Sequence, residues 1–445
     1  MRDRLIWLGA LAYAALFTWL GAIKYAAHRN LVDFGIFAQT TASAFGCFCN
    51  PIEGSHWAFH FSPILYVAGA AVALAHSPLT LIALQAIAGA LTVPPIYGIV
   101  ERHADRTIAR WAALVAFLYP ALAGLVFNDF HENGFAPAAV AWMVWAFDGG
   151  YMRLTVVFAA IALAVKEDQA VFLTIAGLLA AWRFRGTTPG RYALGIALAS
   201  AIVIPVFFKD IQPHAAANPL WQPERFYAWT PDDWHGLFPR GIAERLGFFV
   251  LAFLPLLFLP FCSRVMWLAA APLAEVLLSR MSTTYTMGSH YAGAWIGYVL
   301  AAFAFAVRRL PESTARRLLP WCVALCAVEL LVANPLHPGL NLRRVEQRDI
   351  ALNAELHELP EGVSIATQEE AYTHLALGNP FARLLPEDGT IETRACFVLI
   401  DRDFPDSPRL QEYSAALHAL VARGVYVPSH RSDGIELYHR VGSCR

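Results

Sequence analysis

From residue 5 to residue 333 the chain is a succession of apolar runs, at 5–23, 78–100, 108–127, 134–147, 154–165, 169–182, 192–208, 246–261, 265–279, 291–307 and 318–333. A chain with so many such runs has few solutions. Inside a bilayer no water satisfies backbone N–H and C=O groups, so the runs must form helices that bond internally. Composition agrees, with 57% hydrophobic residues, only 15% charged and thirteen Trp, far from the balance of a soluble domain. The expectation is an α-helical polytopic membrane protein. The near-neutral net charge of −1 gives no bulk cationic surface for nucleic acid.

The first run stands behind Arg2 and Arg4. It is longer than a signal-peptide core and no cleavage site follows, so it reads as an uncleaved span. Several runs are shorter than the roughly 20 residues a crossing needs, and charge placement decides the count. With the N-terminus in the cytoplasm and 61–75 lying in the membrane plane, the inner loops collect Arg2, Arg4, Arg102, Arg106, Arg110, Arg153, Arg183, Arg185, Arg191, Arg264, Arg308, Arg309, Arg316 and Arg317. The longer outer loops of the membrane part hold eight Lys or Arg in all, and the positive-inside rule supports that orientation. About eleven spans and an in-plane helix result, with an external loop at 24–77 and a transmembrane domain over 1–333. Around Lys166-Glu167-Asp168, a single helix over 153–185 would bury three charges and put its flanking arginines on opposite sides; two short helices avoid both.

From 334 to 445 the pattern changes. GVSIAT at 362–367 and ACFVLI at 395–400 read as strands, LQEYSAALHALVARG as a helix stopped by Gly424, and VYVPS and GIELYHR as further strands, giving a small α/β extracytoplasmic domain. Cys262, Cys322 and Cys326 lie in or beside apolar runs, as small hydrophobes. Cys47, Cys49, Cys396 and Cys444 lie in polar regions; a Cys396–Cys444 disulfide and unpaired thiols are both open readings.

In that topology the unusual polar residues gather on the outer side. Asp33 follows the first span, in NLVDFGIFAQ; His56 and His60 stand in HWAFHFSP; Asp129, His131 and Glu132 fill NDFHEN; Lys166, Glu167 and Asp168 join two short runs; Arg280, Thr283, Thr284, Tyr285, Ser289 and His290 precede 291–307. Each has a plainer reading. Asp33 is either a helix cap or a carboxylate among apolar side chains suited to accepting a proton. Asp129, His131 and Glu132 offer ligand types for a divalent ion or a hydrogen-bond knot. Lys166-Glu167-Asp168 is an exposed turn or the floor of an outward cavity, where Lys166 offers a point charge for phosphate. His60 and His290 are structural or catalytic. No P-loop, dinucleotide-binding glycine pattern, G-x-S-x-G elbow or H-E-x-x-H helix occurs.

An odd number of spans, an acid soon after the first, an in-plane segment and a soluble external C-terminal domain resemble the GT-C superfamily of integral membrane glycosyltransferases. Within it, VDFGIFAQ, HFSPILY followed by SPLTLIALQA, NDFHEN and VKEDQAVF are similar to a bacterial and archaeal family of predicted membrane proteins of unknown function. The resemblance covers nearly the whole chain. It implies transfer of a sugar from a polyprenyl-phosphate donor to an extracytoplasmic glycan, lipid or protein acceptor. Asp33 would be the general base and Asp129 or Glu132 a second acid; Lys166 or Arg280 would hold the lipid phosphate. His60, His131, Glu167, Asp168, Tyr285 and His290 would complete a substrate site. Where many relatives carry a second acid, Phe34 follows Asp33, which bears on the need for a divalent metal. Two other classes compete. A transporter would use the same ionisable groups as a relay, but no internal symmetry between halves is visible. An envelope assembly or lipid-binding protein would use the tail to hold a partner.

Overall fold

A computed structural model describes residues 3–216, 241–333, 344–402, 409–432 and 434–442. The helices of the N-terminal three quarters are α1 (Arg4–Ala26), α2 (Val32–Ala42), α3 (Leu65–Ala75), α4 (Leu79–Leu91), α5 (Val93–Glu101), α6 (Arg106–Phe117), α7 (Pro120–Phe127), α8 (Ala136–Asp148), α9 (Met152–Leu163), α10 (Glu167–Arg183), α11 (Thr188–Pro205), α12 (Gln212–Ala215), α13 (Ile242–Phe253), α14 (Ala270–Leu278), α15 (Gly293–Val307) and α16 (Glu312–Val332). Among the described residues four are long and apolar enough to cross a membrane: Arg4–Ala26, Leu79–Glu101, Thr188–Ala215 and His290–Val307, with α6 and α7 a fifth if that pair, bent by 45°, is one span.

That is fewer than the eleven runs expected to cross. The run at 246–261 is interrupted because Pro255 and Pro260 lack N–H groups and the chain passes into 3₁₀ turns, with Leu257 and Phe258 at positive φ. The run at 265–279 yields a 3₁₀ turn and the nine residues of α14. The 153–185 region is two helices with a break at 164–166, as the charge argument requires. α3, at eleven residues, rises about 16 Å, short of the roughly 30 Å of hydrocarbon.

Two compact units are distinguishable. The first comprises Met1–Trp19, Trp57–Val67 and Ile82–Asn341; the second comprises Leu20–His56, Ala68–Leu81 and Leu342–Arg445. Residues 20–56 and 68–81 thus share one compact unit with the C-terminal residues, while 57–67 belong to the first. In the first unit, close packing depends on glycine. A Cβ at Gly177 of α10 would lie 2.8 Å from the Ala193 carbonyl of α11, and one at Gly297 of α15 2.8 Å from that of Pro137 in α8. On the arginine-rich ends Asp148 accepts hydrogen bonds from Arg102 and Arg308 at 2.8 Å, and Asp3 accepts one from Arg110 at 2.7 Å.

In the second unit the C-terminal residues form α17 (Gln347–Glu358), α18 (Glu369–Leu375), α19 (Leu410–Ala422) and a five-stranded sheet of β3 (Ile365–Thr367), β4 (Ala382–Leu384), β5 (Phe397–Asp401), β6 (Tyr426–Ser432) and β7 (Ile435–Arg440). The strand order is β4-β3-β5-β7-β6; β3 runs parallel to β4 and β5, and β7 antiparallel to β5 and β6. Val398, Ile400, Tyr413, Leu417, Tyr426 and Tyr438 build the core between sheet and α19. Gly424 ends that helix at φ +70°, where the missing Cβ removes the strain. α2 docks on this domain. Gln39 donates to the carbonyls of Asn379 and Ala382, both at 3.1 Å, and accepts from the Tyr372 hydroxyl at 2.6 Å. A Cβ at Gly35 would lie 2.3 Å from the Tyr372 ring. The hairpin of β1 (Cys49–Asn50) and β2 (Gly54–Ser55) follows a Cys47–Cys49 disulfide. Cys396 is buried, and Cys444 lies outside the described residues.

Candidate functional site

Several polar residues of the first unit converge where three pieces of chain meet. α9 ends at Leu163 and the chain extends through Lys166 before α10 begins. The segment after His60 is laced to that break: Ile64 N–H donates to the Ala164 carbonyl at 2.8 Å and Phe61 N–H to Glu167 Oε2 at 3.0 Å, while His60 Nδ1 is 2.8 Å from Glu167 Oε1. Glu167 and Asp168 occupy the first turn of α10, the positive end of its dipole.

The third piece is the turn between α7 and α8. Gln85, from the middle of apolar α4, organises it: Nε2 points at the carbonyls of Leu125, Val126, Asn128 and Asp129 at 3.1–3.3 Å, and Oε1 accepts from His131 N–H at 2.9 Å. The clasp presents Glu132, wholly buried, to Lys166, whose Nζ is 3.6 Å from Oε1, and to His131, whose Nδ1 is 2.8 Å from Oε2. These contacts are ion-pair distances without hydrogen-bond alignment. His131 stacks on His290 with ring centroids 3.8 Å apart, and the Lys166 ammonium lies 5.9 Å from the centre of the Tyr291 ring.

Charge balance decides what the cluster can bind. Burial pulls the Lys166 ammonium pKa down, but Glu132, Glu167 and Asp168 more than offset it and hold the lysine protonated. Burial also opposes ionisation of Glu132, yet His131 and Lys166 keep its carboxyl well below the usual range. His60 is pushed down by burial against the pull of Glu167. A neutral His60 then donates its Nδ1–H to Glu167 and leaves Nε2 as the acceptor nitrogen. Burial, with Glu275 adding to it, pushes the Asp168 carboxyl well above its usual range and toward the neutral form, so Glu132 and Glu167 are the carboxylates that engage Lys166. A lipid phosphate at Lys166 would have to compete with Glu132 and Glu167 for the ammonium.

Acceptors outnumber donors there. Both carboxylate oxygens of Glu132, Asn133 Oδ1, Asp168 Oδ1 and both polar atoms of the Gln169 amide are buried without a hydrogen-bond partner among the described residues. Buried polar atoms are almost always satisfied, so this neighbourhood is built to receive hydrogen-bond donors. The metal reading of Asp129, His131 and Glu132 does not fit: among the described residues no three His, Cys, Asp or Glu side chains converge as ligands, and Lys166 stands where a cation would be repelled.

His60, His131, Glu132, Lys166, Glu167 and His290 are therefore linked, with Asp168 next in the chain and Asp129 buried in the Gln85 clasp. Tyr285 has its ring 4.3 Å from the Arg245 guanidinium, and Arg280 is exposed. His56 pairs with Glu53 at 3.1 Å in the second unit. Asp33, in the first turn of α2, also belongs to that unit. Gln85, Asn133, Gln169 and Tyr291 escaped the sequence reading. An amide inside the apolar run LTLIALQAIAGAL was the available signal for Gln85.

Residues 29–437 match the model of the family described as "Predicted membrane protein (DUF2079)". No curated protein matches the sequence. Among solved structures, ArnT from Cupriavidus metallidurans bound to undecaprenyl phosphate aligns at a TM-score of 0.55 and 12% identity, over 97% of this chain and 98% of that one. The same enzyme in the apo state gives 0.51 and 13%, over 96% and 98%. The Archaeoglobus fulgidus oligosaccharyltransferase complex with zinc and sulfate gives 0.41 and 13%, over 94% and 69%. The first two alignments show that the chain shares the fold of ArnT across nearly the full length of both chains.

Proposed function

Because the chain belongs to the DUF2079 family of membrane proteins and carries a GT-C-like fold, we propose that it is a membrane glycosyltransferase that moves a sugar from a polyprenyl-phosphate donor to an extracytoplasmic acceptor. The observation that carries this reading is the set of buried acceptors around Glu132, Asn133, Asp168 and Gln169. A sugar is a dense array of hydroxyl donors, so its ring satisfies such a set, and a carboxylate that accepts from a hydroxyl binds it more strongly than a neutral group does.

The roles divide by charge. The Lys166–Glu132–Glu167 cluster takes sugar hydroxyls, and Arg280, on the exposed loop before α15, takes the lipid phosphate. Asp33, at the start of α2 among Phe34, Ile36 and Phe37, is the general base that removes the acceptor hydroxyl proton. A positioned base contributes about 10²–10⁴-fold in rate. Two features support an outward-facing site: the arginines of the other loops, which follow the positive-inside rule, and the Cys47–Cys49 disulfide, which an oxidising compartment permits.

The test is mass spectrometry of cell-envelope glycans and glycolipids from a deletion strain complemented with the wild-type gene, Asp33→Asn or Glu132→Gln. Expected is a sugar-mass loss from one envelope component on deletion, restored by wild type and by neither variant at equal membrane abundance. Unchanged glycans after deletion, or full restoration by Asp33→Asn, would count against the transferase or against the base respectively.

A further inference from the structure

A second feature of the first unit lies apart from that cluster. α9 and α11 leave a groove between them, a cavity of about 470 Å³ lined by Val156, Ala159, Ala160 and Leu163 on one side and by Arg191, Tyr192, Gly195, Ile196, Ala199 and Ser200 on the other. Both sets repeat at helical spacing, so each is one face of its helix. The groove persists because the residues facing it at 159, 160, 195, 199 and 200 are small, whereas α11 meets α10 tightly through Gly177. Its volume falls within the roughly 300–1,000 Å³ of ordinary ligand pockets.

Chemistry along the groove is graded. Its floor is apolar, and one end carries the exposed Arg191 and Tyr192, the pair of side-chain types that mark a membrane interface. The same ends of α9, α10 and α11 bring Arg153, Arg183 and Arg185, while neither 149–165 nor 169–208 contains an Asp or Glu. Asp148, the nearest acid in the chain, is held by Arg102 and Arg308. An apolar slot opening on a cluster of arginines with no acid among them complements a molecule with a hydrocarbon chain and an anionic head.

We propose that this groove binds one anionic glycerophospholipid of the cytoplasmic leaflet, with an acyl chain between α9 and α11 and the headgroup phosphate on Arg191. The inference is independent of glycosyl transfer. It is tested by native mass spectrometry of the purified, delipidated full-length protein titrated with phosphatidylglycerol or with phosphatidylcholine of the same acyl chains. Expected is a single-lipid adduct at a phosphatidylglycerol concentration at least tenfold below that needed for phosphatidylcholine. Arg191→Gln should bring phosphatidylglycerol to the phosphatidylcholine level. Gly195→Leu, whose side chain would enter open space, should weaken both lipids at least tenfold. Equal binding of the two lipids by the wild type, or an undiminished adduct in Gly195→Leu, overturns the proposal. So does a protein dimer that replaces the adduct and is lost in Gly195→Leu, since a second copy would then fill the groove. Should Gly195→Leu fail to fold, Arg191→Gln, at an exposed position, still decides the headgroup assignment.

Discussion

Glu132 of the first unit and Glu370 of the second are equally hidden from solvent, at 0% and 4% exposure, yet they take opposite charge states. Burial pushes both carboxyls toward the neutral form. At Glu132 it is overcome by His131 and Lys166, and the carboxyl stays ionised. At Glu370 nothing cationic overcomes it: Oε2 has no hydrogen-bond partner among the described residues, and burial, aided by Glu369 and Asp401, raises the pKa to about 7. The ring of His28, 3.4 Å from the Glu370 carbonyl and stacked on His374, is itself held toward the neutral form by burial. What separates the two glutamates is therefore the company supplied and not the depth of burial. A charge kept buried with its counter-charge is a site maintained against its desolvation cost.

The strongest way to break this contrast is Lys166→Met, which leaves Glu132 and Glu167 buried without their ammonium. Removing one partner of a buried pair costs about 3–5 kcal/mol, so thermal unfolding in detergent should show a large loss of stability. Adding Glu132→Gln to Lys166→Met should recover part of it. If Lys166→Met melts like the wild type, Lys166 does not neutralise the cluster.

Glu370 gives the opposite sign. Its folded pKa of about 7 exceeds the ordinary 4.5, so between those values the native state holds a proton that the unfolded chain has released. Stability contributed by this group is complete below about pH 4.5, falls as pH rises toward 7, and is level above. Glu370→Gln should remove that slope and stabilise the protein at pH 8 by up to about 3 kcal/mol, at roughly 1.4 kcal/mol per pH unit. The comparison with wild type at each pH cancels the opposing contribution of His28. An unchanged slope in Glu370→Gln would mean that the carboxyl is ionised when folded.

These contrasts also explain what was legible beforehand. The strands at 365–367, 397–401, 426–432 and 435–440 and the helix ending before Gly424 follow local pattern and turn chemistry, so residues alone indicate them. The break at Lys166 was legible for a related reason, since three adjacent charges cannot remain in hydrocarbon. The pairing of His60 with Glu167 spans 107 residues and leaves no local periodicity, and neither does the clasp of Gln85 on the turn before His131. Asp33 carried the strongest functional expectation, yet α2 is tied by Gln39 and Gly35 to the C-terminal sheet domain. Nothing in NLVDFGIFAQ reveals that attachment, because it is made by Tyr372, Asn379 and Ala382, more than 300 residues away.

Packing around the cluster offers an intermediate test. A Cβ on Gly293 would lie 2.2 Å from the carbonyl oxygen of Asn133, so Gly293→Ala must displace either the start of α15 or the turn that carries Glu132. Overpacking of this kind costs about 1–3 kcal/mol. Because the displaced turn presents Glu132, envelope glycan transfer should fall more steeply than melting temperature. If the two fall in proportion, the turn tolerates movement and its geometry does not limit the reaction.

The smallest effect is expected where charges are paired but still near water. Asp148 is 12% exposed, Arg102 23% and Arg308 11%, and the pairing is by aligned hydrogen bonds at 2.8 Å. Asp148→Asn brings two guanidinium groups together with an uncharged acceptor between them. Unlike Glu132 and Glu167 after loss of Lys166, Arg102 has an accessible route to solvent along its own flexible stem, and long cationic side chains resolvate in this way. Its planar group also retains the Trp145 carbonyl at 2.9 Å and the Trp145 ring beneath it. The cost should be about 1–2 kcal/mol, the range of a lost charged hydrogen bond, with glycan transfer unchanged at equal abundance. A loss as large as that of Lys166→Met would mean that access to water, and not the presence of a counter-charge alone, fails to distinguish the two clusters.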